Sequence, residues 1–285
     1  RNPPKDTIRS QVAENPVGTG LVFGLQEALD QLGAFAGPMV FTAVFLTTGR
    51  EDLASYQLGY RMMFLAYILV MPAVFIAYRR ISGYDLAREG ETITRDSDRL
   101  TPTFWLYCLF TFLATFGLVA YSIIGFHLKA AGVFSDAAIT SLYSFAMIVD
   151  AVAALIIGRA YDRFKARSGK KSGGLLTLAV IPALTILIPL LTLGSDPALA
   201  AAGMALYGIV LGGHETVMRS AIADLTSFHK RGTAYGIFNN VYGLALFLGS
   251  SLMGLLYDAL SPAAICAVVL MAEALALLVF LRIRR

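Results

Sequence analysis

The sequence predicts an all-α membrane protein, and three observations predict it. Of the 285 residues, 57% are hydrophobic and only 15% charged, where soluble domains carry about 25% charged residues. Mean hydropathy is +0.67. The apolar residues come in long runs separated by short charged segments, each run long enough to cross a hydrocarbon core as a helix. The alternating segments of an outer-membrane barrel are absent. These features exclude a soluble enzyme domain, a disordered chain and a nucleic-acid binder. The formal charge of +4 and pI near 9.1 therefore call for a membrane explanation.

Eight spans are read, at roughly 20–46, 57–78, 104–128, 138–160, 174–193, 198–222, 232–257 and 262–281. Positive charge orients them. All but three of the 23 Lys and Arg residues (Arg50, Arg61 and Lys129) fall on one side. That side holds both ends of the chain and the 79–103 segment, and the positive-inside rule makes it cytoplasmic. The chain opens at Arg1 with a polar stretch that lacks signal-peptide character, so the front of a longer protein is expected to be missing. Cys108 and Cys266 lie in apolar runs without metal-ligand spacing and read as small apolar filler.

An internal repeat organises the spans. Arg9-Ser10 matches Arg219-Ser220, and Ala13-Glu14 matches Ala223-Asp224. After a two-residue gap, Gly20, Phe23-Gly24, Leu32, Phe35 and Gly37 match Gly232, Tyr235-Gly236, Leu244, Phe247 and Gly249. Equivalent positions are six spans apart and run in the same direction, so the unit is a parallel six-helix half. Residues 1–78 then hold the last two spans of a first half. Residues 79–103 are a cytoplasmic linker, and 104–285 are a complete second half.

Two motifs carry a family resemblance. Between the fourth and fifth spans lie Gly158-Arg159-Ala160-Tyr161-Asp162-Arg163, then Gly169-Lys170-Lys171. This resembles the signature loop of the major facilitator superfamily, in the place that family puts it. A glycine there allows close helix approach, and Asp162 can accept from a neighbouring helix N-terminus or pair with an Arg. The N-terminus of the first span near Gly20 and the side chain of Arg219 are the candidate partners. Phe164 to Ser168 intervene where the family pattern is tighter. The first span holds Gly24, Gly33 and Gly37-Pro38, a spacing similar to the antiporter motif of the same superfamily, without its trailing glycine pair. The seventh span looks like the eleventh helix of an uncharacterised prokaryotic branch. The resemblance implies the last eight of twelve helices: parallel six-helix repeats, the first incomplete.

Charged groups inside spans are costly and mark function. Glu27 and Asp30 share a face of the first span, with Asp30 expected near midplane. Asp150 is mid-way along the fourth span. Any of the three carboxyls can bind and release a proton or meet a cationic substrate, or can be paired between helices. Asn239, Asn240 and Tyr242 are the repeat equivalents of Glu27, Ala28 and Asp30, and suit substrate contact or interhelical hydrogen bonds. Glu215, Arg219 and Asp162 read as a gate at the cytoplasmic surface. Glu273 reads as packing or lipid interface, and His127 as interfacial. His214-Glu215 lacks the second His of a zinc protease.

Together these predict a secondary transporter of small molecules working by alternating access, with proton-coupled export by antiport. It would sit in a prokaryotic plasma membrane, both ends cytoplasmic, with no cofactor or metal and no nucleic-acid partner. Its partners are a small-molecule substrate, protons, the bilayer and the missing first helices. A uniporter of the same fold and a non-transporting protein that keeps it are the alternatives. No P-loop and no clustered nucleophile and base support an ATPase or a membrane enzyme.

Overall fold

The computed structural model describes residues 18–81, 100–169, 171–227, 230–259 and 262–283. The matches of Arg9, Ser10, Ala13 and Glu14, and most of the 79–103 segment, lie outside them. The described residues form nine α-helices. These are α1 (Thr19–Thr48), α2 (Leu53–Ile81), α3 (Pro102–Phe116), α4 (Tyr121–Ala130), α5 (Asp136–Ser168), α6 (Val180–Thr192), α7 (Pro197–Leu225), α8 (Arg231–Ala259) and α9 (Pro262–Ile283). They make eight membrane-length apolar stretches, because α3 and α4 share one span and a 3-10 segment (Lys171–Ala179) leads into α6. No strand occurs among the described residues.

Three departures from the expected spans matter. The 104–128 span is broken between Phe116 and Tyr121. The expected 174–193 helix begins as a 3-10 segment. The fourth span continues to Ser168, so Gly158 to Arg163 lie on a helix and not in a loop. Gly169, with φ +63°, ends that helix in the left-handed conformation. Capping explains the other starts: Thr101 accepts from the Phe104 amide, Ser135 from Ala138, and Asp196 from Ala198 and Leu199. Asp52 accepts from the amide and hydroxyl of Ser55 at the start of α2. Those hydrogen bonds hold its carboxyl below the usual range.

Lipid tails are as apolar as leucine, so small residues and close backbones join these helices. The most extensive contact is α1 against α5, followed by α5 against α7. α5 presents Ala146, Asp150, Ala154 and Gly158, one every four residues, along its packed length. On one side a Cβ at Gly20 would overlap the Gly158 carbonyl, and one at Gly24 the Ala154 carbonyl. On the other, Gly208 closes on the Ala146 carbonyl and Gly212 on Asp150. On either side of Pro38, which donates no backbone hydrogen bond, hydroxyls take over the α1–α5 seam. Thr42 Oγ1 lies 2.8 Å from Thr140 Oγ1, and Ser144 donates to the Phe35 carbonyl at 3.2 Å.

The repeat equivalents Gly24 and Gly236 have unlike surroundings. Gly24 is pressed on α5, while a Cβ at Gly236 would meet nothing within 4 Å. Among α1–α9, no helix stands against Gly236 as α5 stands against Gly24. α2 is exposed along almost its whole length.

Gly158→Leu is expected to cost about 1–3 kcal/mol by overpacking this seam. A thermal unfolding midpoint measured in detergent should fall. Gly33→Ala, at a position with open space, should leave the midpoint unchanged or slightly higher. Equal midpoints for the two variants would contradict the seam.

Candidate functional site

At the end of the bundle rich in Arg and Lys, the basic end, α1 starts without a cap of its own. Gly18 precedes it with φ +88° and supplies no side chain. The cap comes from α5. The Asp162 carboxylate accepts from the Gly20 amide at 2.9 Å and the Leu21 amide at 2.8 Å. An anion at a helix N-terminus meets unpaired amides and the positive end of the dipole. The sequence offered Gly20 and Arg219 as partners of Asp162, and the structure brings it to Gly20. Arg163 points to solvent, exposed.

Beside this cap lies a group that the sequence reading passed over. Asp224 of α7 accepts from Tyr161 at 2.8 Å, Lys165 at 2.6 Å and Thr19 at 3.4 Å. It thereby ties α5 and α1 to α7. Its signal was present: Asp224 is the repeat equivalent of Glu14. Ser220 also donates to the Thr19 carbonyl at 3.3 Å. Tyr235 and Arg231 of α8 reach the Arg219 and Ala223 carbonyls at 3.1 and 3.0 Å.

Roughly 12 Å along α1 from Thr19, at 1.5 Å per residue, comes a second layer. Glu27 is buried, accepts from Gln31 at 2.6 Å, and faces the Arg219 guanidinium at 3.7 Å. Arg219 also pairs with Glu215, one turn back on α7. Tyr242 of α8 donates to Glu215 at 3.5 Å. Glu27, Glu215, Arg219 and Tyr242 were read as belonging to two sites, and the structure joins them in one. The remaining candidates differ in exposure and packing. Asp30 bonds Gln26 at 3.2 Å but is exposed, although it shares a helix face with buried Glu27. Asn240 is exposed and Asn239 half-buried. Gly33 meets nothing, and Gly37 only the tip of Met63, at 3.5 Å. Of the antiporter-like spacing, Gly24 alone makes a close backbone approach.

Deeper still is Asp150, in the middle of the 33-residue α5. Its exposure is 0%, and neither carboxylate oxygen has a hydrogen-bond partner. A Cβ at Gly212 would stand 2.9 Å from its Oδ1. Glu27 and Glu215 are near enough to act on it electrostatically. His214 is equally enclosed, with both ring nitrogens unpartnered. No group of three metal-ligating side chains occurs among the described residues.

The opposite end is tied by Asp136, which accepts from Tyr56 of α2 at 2.7 Å and pairs with Lys129. His127, in the last turn of α4, is buried and bonds Tyr257 and the Gly194 carbonyl.

Comparison with known proteins places this arrangement. The family profile described as Major Facilitator Superfamily matches residues 103–285. The chain belongs to the major facilitator superfamily. An uncharacterised protein of Mycobacterium tuberculosis (strain ATCC 25618 / H37Rv) is 31% identical over 289 residues, the match covering all of this chain and 67% of that protein. A Mycobacterium bovis protein, also uncharacterised, matches to the same extent. Among solved structures, a bacterial homologue of the iron transporter ferroportin, in an outward-facing state, superposes with a TM-score of 0.62. It is 18% identical and covers 99% of this chain and 69% of that one. That likeness is one of fold. The superfamily member described here is a multi-pass membrane protein of a transporter class, its helices arranged as the resemblance implied.

Asp162→Ala should uncap α1 at a cost of about 1 kcal/mol. Hydrogen exchange at the Gly20 and Leu21 amides should quicken, while Arg163→Ala should leave it unchanged. Unaltered protection in Asp162→Ala would contradict the cap.

Proposed function

We propose that this chain forms the larger part of a secondary active transporter that exports small molecules by proton-coupled antiport. The observation that carries the reading is Asp150, an enclosed carboxyl without a hydrogen-bond partner, beside two more carboxyls that share one arginine. Three ionised carboxylates against Arg219 would leave uncompensated charge in a low-dielectric interior, which is expensive. A proton on one of them removes that cost. Where the seam opens and water reaches the carboxyl, the proton can leave, and its departure biases the bundle toward another packing. Asp150 and Glu27 are the proton-carrying groups in this reading. Glu215 and Arg219 pass the charge change to the basic end, where the Asp162 cap and the Asp224 cluster hold α1 on α5 and α7.

The same reading divides the chain as the repeat does. Residues 1–78 belong to a first half, 79–103 to a linker and 104–285 to a second half, with Asn239 and Tyr242 on the second-half helix equivalent to α1. The basic end faces the cytoplasm of a prokaryotic cell. The partner this asks for is the rest of the first half, for which the exposed α2 and the open side of Gly236 offer a surface.

The test is transport by the intact protein in proteoliposomes. With an imposed pH gradient, export of a substrate found by screening should be driven by the gradient, and Asp150→Asn should reduce that driven flux at least tenfold. Gradient-free exchange of the substrate should survive the substitution. Flux indifferent to both the gradient and Asp150→Asn would point to a uniporter.

A further inference from the structure

A second enclosed carboxyl lies on other elements, outside the network of Asp150. Glu273, half-way along α9, has an exposure of 0% and no partner for either carboxylate oxygen. The sequence placed it at a packing or lipid-facing position. The structure turns it inward over Gly117, where a Cβ would stand 2.5 Å from Oε1 and 3.1 Å from the carboxyl carbon. The absent side chain of Gly117 is what makes room for the acid.

Gly117 is also where one span ceases to be a helix. α3 ends at Phe116 and α4 begins at Tyr121, and the three residues Gly117, Leu118 and Val119 are buried. The Leu113, Thr115 and Ala120 carbonyls accept backbone amides around the break. Among the described residues, those of Ala114, Phe116, Gly117, Leu118 and Val119 receive no hydrogen bond across it. Gly249 of α8 closes on the Phe116 carbonyl from another side. A buried carbonyl without a donor is costly, and here several lie at the negative end of a half-helix, around the Gly117 over which the Glu273 carboxyl sits.

Charged neighbours do not account for the acid. α3 carries only Tyr107 and Cys108 as titratable side chains, and α6 carries none. On α4, Tyr121 bonds the Ile139 carbonyl, His127 bonds Tyr257, and Lys129 pairs with Asp136. On α8, Arg231 bonds the Ala223 carbonyl, Tyr235 the Arg219 carbonyl and Tyr242 Glu215, while Asp258 is exposed in the last turn. α9 itself adds only Cys266 and Arg282, in its first and last turns or near them.

We propose that Glu273 and the open carbonyls of the α3–α4 break form a binding site for one sodium ion, which exchanges with the carboxyl proton. All the offered groups are oxygens, which suits a hard cation. One carboxylate balances a single positive charge. Unwound carbonyls and half-helix C-termini are donors that membrane proteins use for sodium. A proton on Glu273 satisfies one acceptor and leaves the others open, whereas a sodium ion engages several at once. As sodium enters, the proton leaves to water, so the net charge of the site is unchanged.

The protein is purified in detergent and its unfolding midpoint compared in sodium chloride and choline chloride of equal ionic strength, near pH 8 and near pH 5.5. Sodium should raise the midpoint by several degrees at the higher pH and less at the lower, where protons compete. Glu273→Gln should abolish the sodium effect, and Asp150→Asn should keep it. Equal midpoints in the two salts at both pH values would overturn the proposal, as would a sodium effect that survives Glu273→Gln. If Glu273→Gln does not fold, the sodium-23 linewidth with unaltered protein decides. Broadening relieved by acid supports the site, and its absence at both pH values rejects it.

Discussion

The bundle depends on the approach of α5 to both of its neighbours. Its Ala146, Asp150, Ala154, Gly158 and Asp162 recur at every fourth residue. The first four lie where glycines of α1 and α7 come within overlap distance of a Cβ. Water cannot enter such a seam, and no side chain is large enough to shield one backbone from the other. An aspartate at a small-residue position of this ladder is therefore sealed by geometry. In the proposed function its charge state and the closeness of the helices become a single variable, because ionising it calls in water and water needs the seam to part.

The same ladder ends on Asp162, and this links the middle of the bundle to its basic end. Gly158 allows the approach, and Asp162, one turn on, uses it to cap α1 with two backbone hydrogen bonds. Lys165 and Tyr161 continue from the same helix to Asp224. Interhelical hydrogen bonds in membranes are worth only about 0.6 kcal/mol on average. No single one locks the basic end. A set distributed over three helices can be made and released together, which is what a two-state element needs.

Much of this was legible in the sequence. Hydropathy and the Lys/Arg distribution located the eight spans, since membrane length and apolarity are local properties. The Gly158–Arg163 order pointed to a helix end near Gly20, because the chemistry of an aspartate beside a glycine is specific. What escaped the sequence depends on which neighbours stand around each residue. Asp30 looked central by its distance along α1 and shares a face with buried Glu27, yet it is exposed. Glu273 looked peripheral by its helix, yet Gly117 opens a place for it inside. Asp224 was visible as a repeat match, but nothing local announces that a tyrosine and a lysine 63 and 59 residues away converge on it. The break at Gly117–Ala120 was hidden because an apolar stretch reads alike whether it is helical or unwound.

The claim at the centre is that proton occupancy of the carboxyls around Asp150 controls whether α1 and α5 remain closed on each other at the basic end. Spin labels at Leu25 and Arg163, both exposed, in the intact protein with Cys108 and Cys266 replaced by alanine, report that separation by pulsed electron paramagnetic resonance in liposomes. The account predicts two distance populations whose ratio changes between about pH 5 and pH 8, and a ratio frozen by Asp150→Asn. A single distance that ignores both pH and the substitution would contradict it.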